Sequence, residues 1–266
     1  MLLQIEHRTE YVYDRPPTYG LMRLRLTPRN DPTQRVRDWR VEVQGATPQV
    51  TYRDQFGNDA RLISLDGDGH QIVITARGQV ETRDSAGVLG PHRRLAPMWL
   101  FLKPTRLTMP GDGVRALIDT LPKGGTSLDT AHALMSTVAD QVAYVTNTTD
   151  PTTTAEQALA NGSGVCQDHS HIFVAAARLL GLPARYVSGY LRMDDRTEQV
   201  ATHAWAETYH EGLGWVGFDA SNHISPDERY VRVAVGRDYE DAAPVSGMRY
   251  GVAQEHLDVR LSVVDQ

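Results

Sequence analysis

An α+β fold is predicted: a β-sandwich-like N-terminal domain followed by helices packed on an antiparallel sheet. Three observations predict it. Short β-rich segments separated by Pro, Gly, Asn or Asp fill roughly the first 80 residues. Helical periodicity begins only after a Pro- and Gly-containing stretch near the middle of the chain. Strand patterns then return after a nearly all-apolar helix.

Residues 5–13, 21–26, 36–43 and 49–53 are the first strands. Gln55-Phe56-Gly57-Asn58 and Asp66-Gly67-Asp68-Gly69 carry turn chemistry, and residues 71–80 alternate apolar and polar side chains. Residues 1–82 are therefore expected to form the β-rich domain. Residues 83–112, with Gly87, Gly90, Pro91, Pro97, Pro104 and Pro110, are a linker packed on the surface by Trp99, Leu100 and Phe101. Residues 113–266 form the second domain, C-terminal strands included. In 127–142 apolar residues recur at 128, 131, 134, 135, 138 and 142, a helical spacing, with Ser127 as N-cap candidate. Residues 152–159 are a second, short helix. Residues 166–180 are apolar on almost all sides from Ile172 onward, which predicts a buried helix, and Gly181 and Pro183 stop it. Strand patterns follow at 184–191, 200–209, 215–220, 230–235 and 257–264.

Composition narrows the function. The chain has 266 residues, 41% of them hydrophobic, enough for a substantial core. Its 27 basic and 33 acidic residues leave a formal charge of −6 with no long run of either sign. That argues against a dedicated binder of nucleic acid or of anionic membranes. A single cysteine excludes an intrachain disulfide and fits a reducing compartment. The start MLLQIEHRTEYVYD lacks the basic and apolar regions of a signal peptide, and no apolar run approaches a membrane span. A cytoplasmic protein with neither nucleic-acid nor membrane partner is the expectation.

That one cysteine lies in GSGVCQDHSHIF, residues 162–173, at the start of the buried helix. There Cys166 feels the positive end of the helix dipole, which favours the nucleophilic thiolate. Gly162 and Gly164 would let a substrate approach the backbone. Asp168, in the same turn, opposes thiolate formation, so an imidazolium would have to outweigh it. A buried, inert cysteine is the alternative.

Four histidines compete as the base: His169 and His171 on the helix, His203 and His210 on a strand. A hairpin centred on residue 211 would set His203 opposite Asp219, the arrangement in which a carboxylate orients a catalytic imidazole. A loop centred later would shift this pairing, and a core histidine beside Trp205 is the other reading of His203. Asp168, His169, His171 and His203 are also metal-ligand types, but none of them forms a helical i, i+4 pair and there is no cysteine-rich motif. No metal is expected.

Three separated blocks carry a resemblance: Gly164-Val165-Cys166-Gln167-Asp168, His203-Ala204-Trp205-Ala206-Glu207, and Gly214-Trp215-Val216-Gly217-Phe218-Asp219. With Pro183-Ala184-Arg185-Tyr186-Val187-Ser188-Gly189-Tyr190 between them, they resemble the bacterial transglutaminase-like superfamily, whose core is papain-like. His7-x-Thr9-x-Tyr11-x-Tyr13, Asp54-Gln55-Phe56-Gly57-Asn58 and Val233-Ala234-Val235-Gly236-Arg237-Asp238-Tyr239 are similar to other parts of that family, so the resemblance covers almost the whole chain. Ala220-Ser221-Asn222 departs from the Pro-Thr-Asn that relatives often carry.

The resemblance implies Cys166 as nucleophile, His203 as base and Asp219 as orienting carboxylate, acting through a thioester on a protein or peptide substrate. No cofactor is implied, and no calcium-site signature is present. The Cys166 N–H opens the helix and suits an oxyanion; Gln167 and Tyr144 are candidates for a second donor. Trp205 and Trp215 are candidates to wall the cleft rather than to do chemistry, and core packing is the favoured reading for both. A hydrolase of amide, peptide or isopeptide bonds is the first expectation. A transglutaminase-type acyltransferase and a non-catalytic binding module are the alternatives.

Overall fold

The computed structural model describes residues 1–65, 69–92, 95–251 and 254–266. The first half is a sandwich of two antiparallel sheets. Its strands are β1 (Leu2–Tyr13), β2 (Tyr19–Thr27), β3 (Gln34–Gln44), β4 (Ala46–Arg53), β5 (Asp59–Leu65) and β6 (Gln71–Thr82). In β1 every second residue from Leu3 to Tyr13 is buried, as a period of two requires. Tyr11, Met22, Leu24, Ile63 and Ile74 meet between the sheets. β5 escapes the sequence pattern because Leu62, Ile63 and Leu65 put apolar side chains on both faces. The turn expected at Asp66-Gly67-Asp68-Gly69 falls on residues 66–68, outside the described residues.

From the stretch expected to be a linker, β7 (Val88–Gly90) pairs with the second-half sheet and a 3-10 turn (Met98–Leu102) buries Phe101, while Trp99 stays exposed. Four helices follow: α1 (Asp112–Asp119), α2 (Ser127–Gln141), α3 (Ala155–Asn161) and α4 (Cys166–Leu179). Two short strands, β8 (Ala143–Tyr144) and β9 (Ser163–Gly164), pair in parallel and bring Tyr144 beside Gly164. Thr126, not Ser127, caps α2, because Asp129 lies three residues beyond Thr126 and completes a capping box with it. α3 is capped the same way by Thr154 and Gln157.

Next come β10 (Ala184–Leu191), β11 (Glu198–Gln199), β12 (His203–His210), β13 (Gly214–Phe218), β14 (Tyr230–Gly236), α5 (Tyr239–Ala242), β15 (Val245–Tyr250) and β16 (Glu255–Asp265). The second sheet runs β14-β10-β12-β13-β7. α4 is enclosed by Ala184, Ala206, Val216 and Phe218 of that sheet and by Leu134, Val138, Ala155 and Ala158 of α2 and α3. That explains its apolar surface.

Of the C-terminal segment assigned from sequence to the second half, β14 stays in the second sheet, while β16 and β15, the latter not expected as a strand, hydrogen-bond to the first half. β16 pairs with β1 from Leu3↔Asp265 to Tyr13↔Glu255, and β15 pairs with β2. Local pattern identifies a strand but not the edge it fills, so this pairing was not readable beforehand. Two side-chain amides clamp the halves together. Asn58 donates to the Val235 carbonyl at 2.7 Å and accepts from its N–H at 2.9 Å. Gln34 does the same to Arg232, at 2.8 and 2.7 Å. Among the described residues no helix is long and apolar enough to cross a membrane.

Candidate active site

Cys166 is the first residue of α4 and is 9% exposed, packed against Tyr186, Ala204 and Ala234. The glycines before it have specific jobs. Gly162 ends α3 in the left-handed region (φ 62°). Gly164 makes room for Asp168: a Cβ there would stand 2.7 Å from the Asp168 side chain. Asp168 Oδ2 accepts from the Val165 N–H at 2.8 Å and from Thr149 Oγ1 at 2.6 Å, closing the first turn of the helix. Burial pushes its carboxyl above the ordinary value despite those hydrogen bonds.

His203 opens β12. Its Nε2–H donates to Asp219 Oδ2 at 2.6 Å, and the imidazole also shares a hydrogen bond with the Cys166 side chain. The register differs from the expected one. Ala206 pairs with Phe218 and His210 with Gly214, so the hairpin is centred on residue 212. Continued past β13, this register places Asp219 opposite Trp205. The displacement is two residues, so His203 and Asp219 keep one face as diagonal neighbours.

Burial opposes charge on His203, but the Asp219 carboxylate and the Cys166 sulfur outweigh it and push the imidazole up to about 10. Burial likewise opposes the Asp219 charge, yet His203, Asn222 and Tyr230 hold its carboxyl below the usual range. Among the described residues five groups donate to that carboxylate: His203 Nε2, Asn222 Nδ2 and Tyr230 OH on Oδ2, and the Ser221 and Asn222 N–H groups on Oδ1. Sequence reasoning missed Asn222 and Tyr230 in this role. Asn222, three residues past the aspartate, carried a local signal; Tyr230, on another strand, carried none.

The other histidines are engaged elsewhere. His169 donates from Nε2 to the Val142 carbonyl at 2.9 Å, and its Nδ1 accepts from Ser221 Oγ at 3.0 Å. It thereby ties the start of α4 to the loop after Asp219. His171 Nε2 accepts from the Tyr239 N–H at 3.1 Å, and burial lowers it to about 3. His210 bridges Ser127 and Thr208. Asp168, His169, His171 and His203 thus point to separate partners, and no group of three such side chains is placed to hold a metal ion among the described residues.

Of the remaining candidates, Tyr144 stands at the site, its hydroxyl pushed up to about 12 by partial burial and by the charges of Cys166 and Asp219. Gln167 is partly buried in the first turn of α4. Trp205 is buried behind His203, their rings stacked at 6.2 Å. Trp215 is not brought to the site. It pairs with Tyr209, six residues beyond His203, which is about 20 Å along a strand, and packs on Phe101.

Comparison with known proteins agrees with this architecture. Residues 115–220 match the model of the transglutaminase-like superfamily, and residues 3–81 match the bacterial transglutaminase-like N-terminal region. An uncharacterized protein of Mycobacterium leprae is 30% identical over 98% of each chain. The chain belongs to the transglutaminase-like superfamily. Its fold is shared by a cysteine-protease candidate from Cytophaga hutchinsonii, with a TM-score of 0.78, 21% identity, and coverage of 100% of this chain and 91% of that one. A protein-glutamine gamma-glutamyltransferase of Pseudomonas aeruginosa is 29% identical over 111 residues, 38% of this chain and 17% of that protein. Membership of the transglutaminase-like superfamily supports a cysteine-dependent enzyme.

Proposed function

We propose that this protein is a cysteine-dependent hydrolase of amide, peptide or isopeptide bonds, with Cys166, His203 and Asp219 as its catalytic triad. The observation that carries the reading is the position of His203, hydrogen-bonded to Asp219 through Nε2 and to the Cys166 side chain. Nucleophile, base and orienting group are thereby in reach of one another. The Cys166 thiolate attacks the carbonyl carbon. The Cys166 N–H, free of an intrahelical partner at the start of α4, faces the oxyanion. Tyr144, whose hydroxyl keeps its proton, is the better-supported second donor. Protonated His203 gives its proton to the leaving amine as that bond breaks, leaving a thioester. Neutral His203 then takes a proton from water, which releases the acid and restores Cys166.

The second reading is transfer to an amine, favoured by the named activity of the Pseudomonas relative. Partitioning of the acyl-enzyme separates them. A glutamine-containing peptide is supplied with millimolar primary amine, and the products are weighed by mass spectrometry. Acid is expected to exceed amide adduct, because water is the default nucleophile unless a site is built to exclude it. Adduct in excess at low amine concentration would replace hydrolysis with transfer.

Tyr230→Phe is expected to lower kcat about tenfold with KM little changed. It removes one of the three donors to Asp219 Oδ2 and leaves the carboxylate less firmly aimed at His203. Loss of a buried hydrogen bond to a charged group should also cost about 1.5–3 kcal/mol of stability. Steady-state kinetics and chemical denaturation check the two effects; a wild-type kcat would demote Tyr230 to packing.

A further inference from the structure

We propose that the protein carries a second ligand site, remote from Cys166, for a small organic oxyanion: a carboxylate or phosphate ester with an apolar body. A cavity of about 430 Å³ opens between the N-terminal strands and the second sheet. That volume suits a small molecule, and seams of this kind are favoured places for such sites. Arg29, Arg53, Arg185 and Arg232 all line it, in a chain whose formal charge is −6.

The cavity is separate from the cysteine site. Arg185, Glu207 and Trp215 alternate along their strands with Ala184, Ala206 and Val216, which pack on α4. They therefore face away from that helix, on the face that also carries His203 and Asp219, but the cavity lining includes none of Cys166, His203 and Asp219. Glu207 is also four residues beyond His203 on β12, about 13 Å along the strand.

Two of the guanidiniums are held rigidly. The side chains of Arg185 and Arg232 are only 4% and 9% exposed. Glu207 Oε2 accepts from Arg185 Nε at 2.5 Å, and its Oε1 accepts from Arg232 Nε at 2.7 Å. The Arg185 guanidinium lies 3.8 Å over the Trp215 ring. One buried carboxylate thus aims two buried cations, the support a preformed anion site requires.

The carboxylates in the wall are each paired, Asp31 with the cavity's own Arg232 and Asp54 with Arg25 outside the lining. Asp31 meets Arg232 at 3.2 Å and accepts from the Thr33 and Gln34 N–H groups. Asp54 meets Arg25 at 3.0 Å and accepts from the Phe56 and Asn58 N–H groups. Arg29 and Arg53 share Asp59. Among the described residues these ion pairs join five guanidiniums (Arg25, Arg29, Arg53, Arg185, Arg232) to four carboxylates (Asp31, Asp54, Asp59, Glu207). Leu89, Pro91 and Trp215 supply an apolar wall for the ligand's body.

The test is calorimetric titration of the full chain with phenylacetate, phenyl phosphate, inorganic phosphate and the neutral phenylacetamide. It needs no turnover, so its outcome is independent of the amide chemistry proposed above. Saturable binding of phenylacetate or phenyl phosphate is expected, and whichever binds identifies the oxyanion source. Phenylacetamide and inorganic phosphate should bind at least about tenfold more weakly, and so should the favoured anion to Arg29→Gln/Arg53→Gln. The Arg53→Gln single variant changes an exposed side chain and should retain the fold while weakening binding. Cys166→Ala should bind as the wild type does. The proposal is overturned if neither organic anion saturates, if the amide or inorganic phosphate binds equally well, if Arg53→Gln leaves affinity unchanged, or if Cys166→Ala loses binding.

Discussion

His203→Ala is expected to abolish turnover, with a loss on the order of 10⁴–10⁶-fold, and Cys166→Ala to do the same. The imidazole interacts with both the sulfur and the carboxylate, so on the proposed mechanism its removal takes away the base and the acid for the leaving group together. Residues that act as one unit are not additive. The Cys166→Ala/His203→Ala double variant should therefore be no slower than either single variant, measured by product formation at high enzyme concentration. His169 supplies the contrast. Both its nitrogens are already bonded, so His169→Ala should lower the melting temperature far more than its folded fraction loses activity. A dead but stably folded His169→Ala would move the base to α4.

Asp219→Asn is expected to keep the fold and lower turnover by about 10⁴-fold, because an amide favours the wrong imidazole tautomer. It should also change the pH profile. His203 is raised from its ordinary value to about 10, with Asp219 foremost among the groups that raise it. The charged pair therefore contributes its stability in full below about pH 6.5 and loses it as pH climbs through 10. Asp219 is depressed, so its own contribution is present above the ordinary carboxylate value and is lost as acid protonates it. Wild-type turnover should accordingly fall on the alkaline side near pH 10, as the imidazolium needed by the leaving group disappears. In Asp219→Asn burial still pulls the imidazole down while the carboxylate no longer raises it, so that limb should move to lower pH. An unmoved limb with near-normal rates would make Asp219 a structural residue.

Both variants test residues that are legible in the chain. Cys166 was identified by its place between a glycine turn and a buried helix, and it does open α4. A hairpin centred on residue 211 would pair His203 with Asp219, and the structure shifts that register by two residues. The two still meet, because a shift of two preserves the face. Trp215, a candidate cleft wall for which core packing is the favoured reading, packs in the core, carried along its strand away from His203. Gly164 looked like room for a substrate and is room for Asp168.

What the sequence determined by itself is whatever depends on neighbours within about one turn or one strand. The periodicity of β1, the apolar surface of α4, the stop at Gly181 and the cysteine at a helix start are all of this kind. The tertiary structure alone decided which strands pair across long separations: β16 against β1, β15 against β2, and β7 against β13. It also decided which side chains converge from distant strands, with Tyr230 on Asp219 and Arg185 and Arg232 on Glu207. The physical reason is one of range. Backbone conformation and burial period are set by local sterics and the contrast between apolar and polar neighbours. A hydrogen bond, by contrast, requires two groups within about 3 Å, and only the packed chain brings residues so far apart in sequence that close.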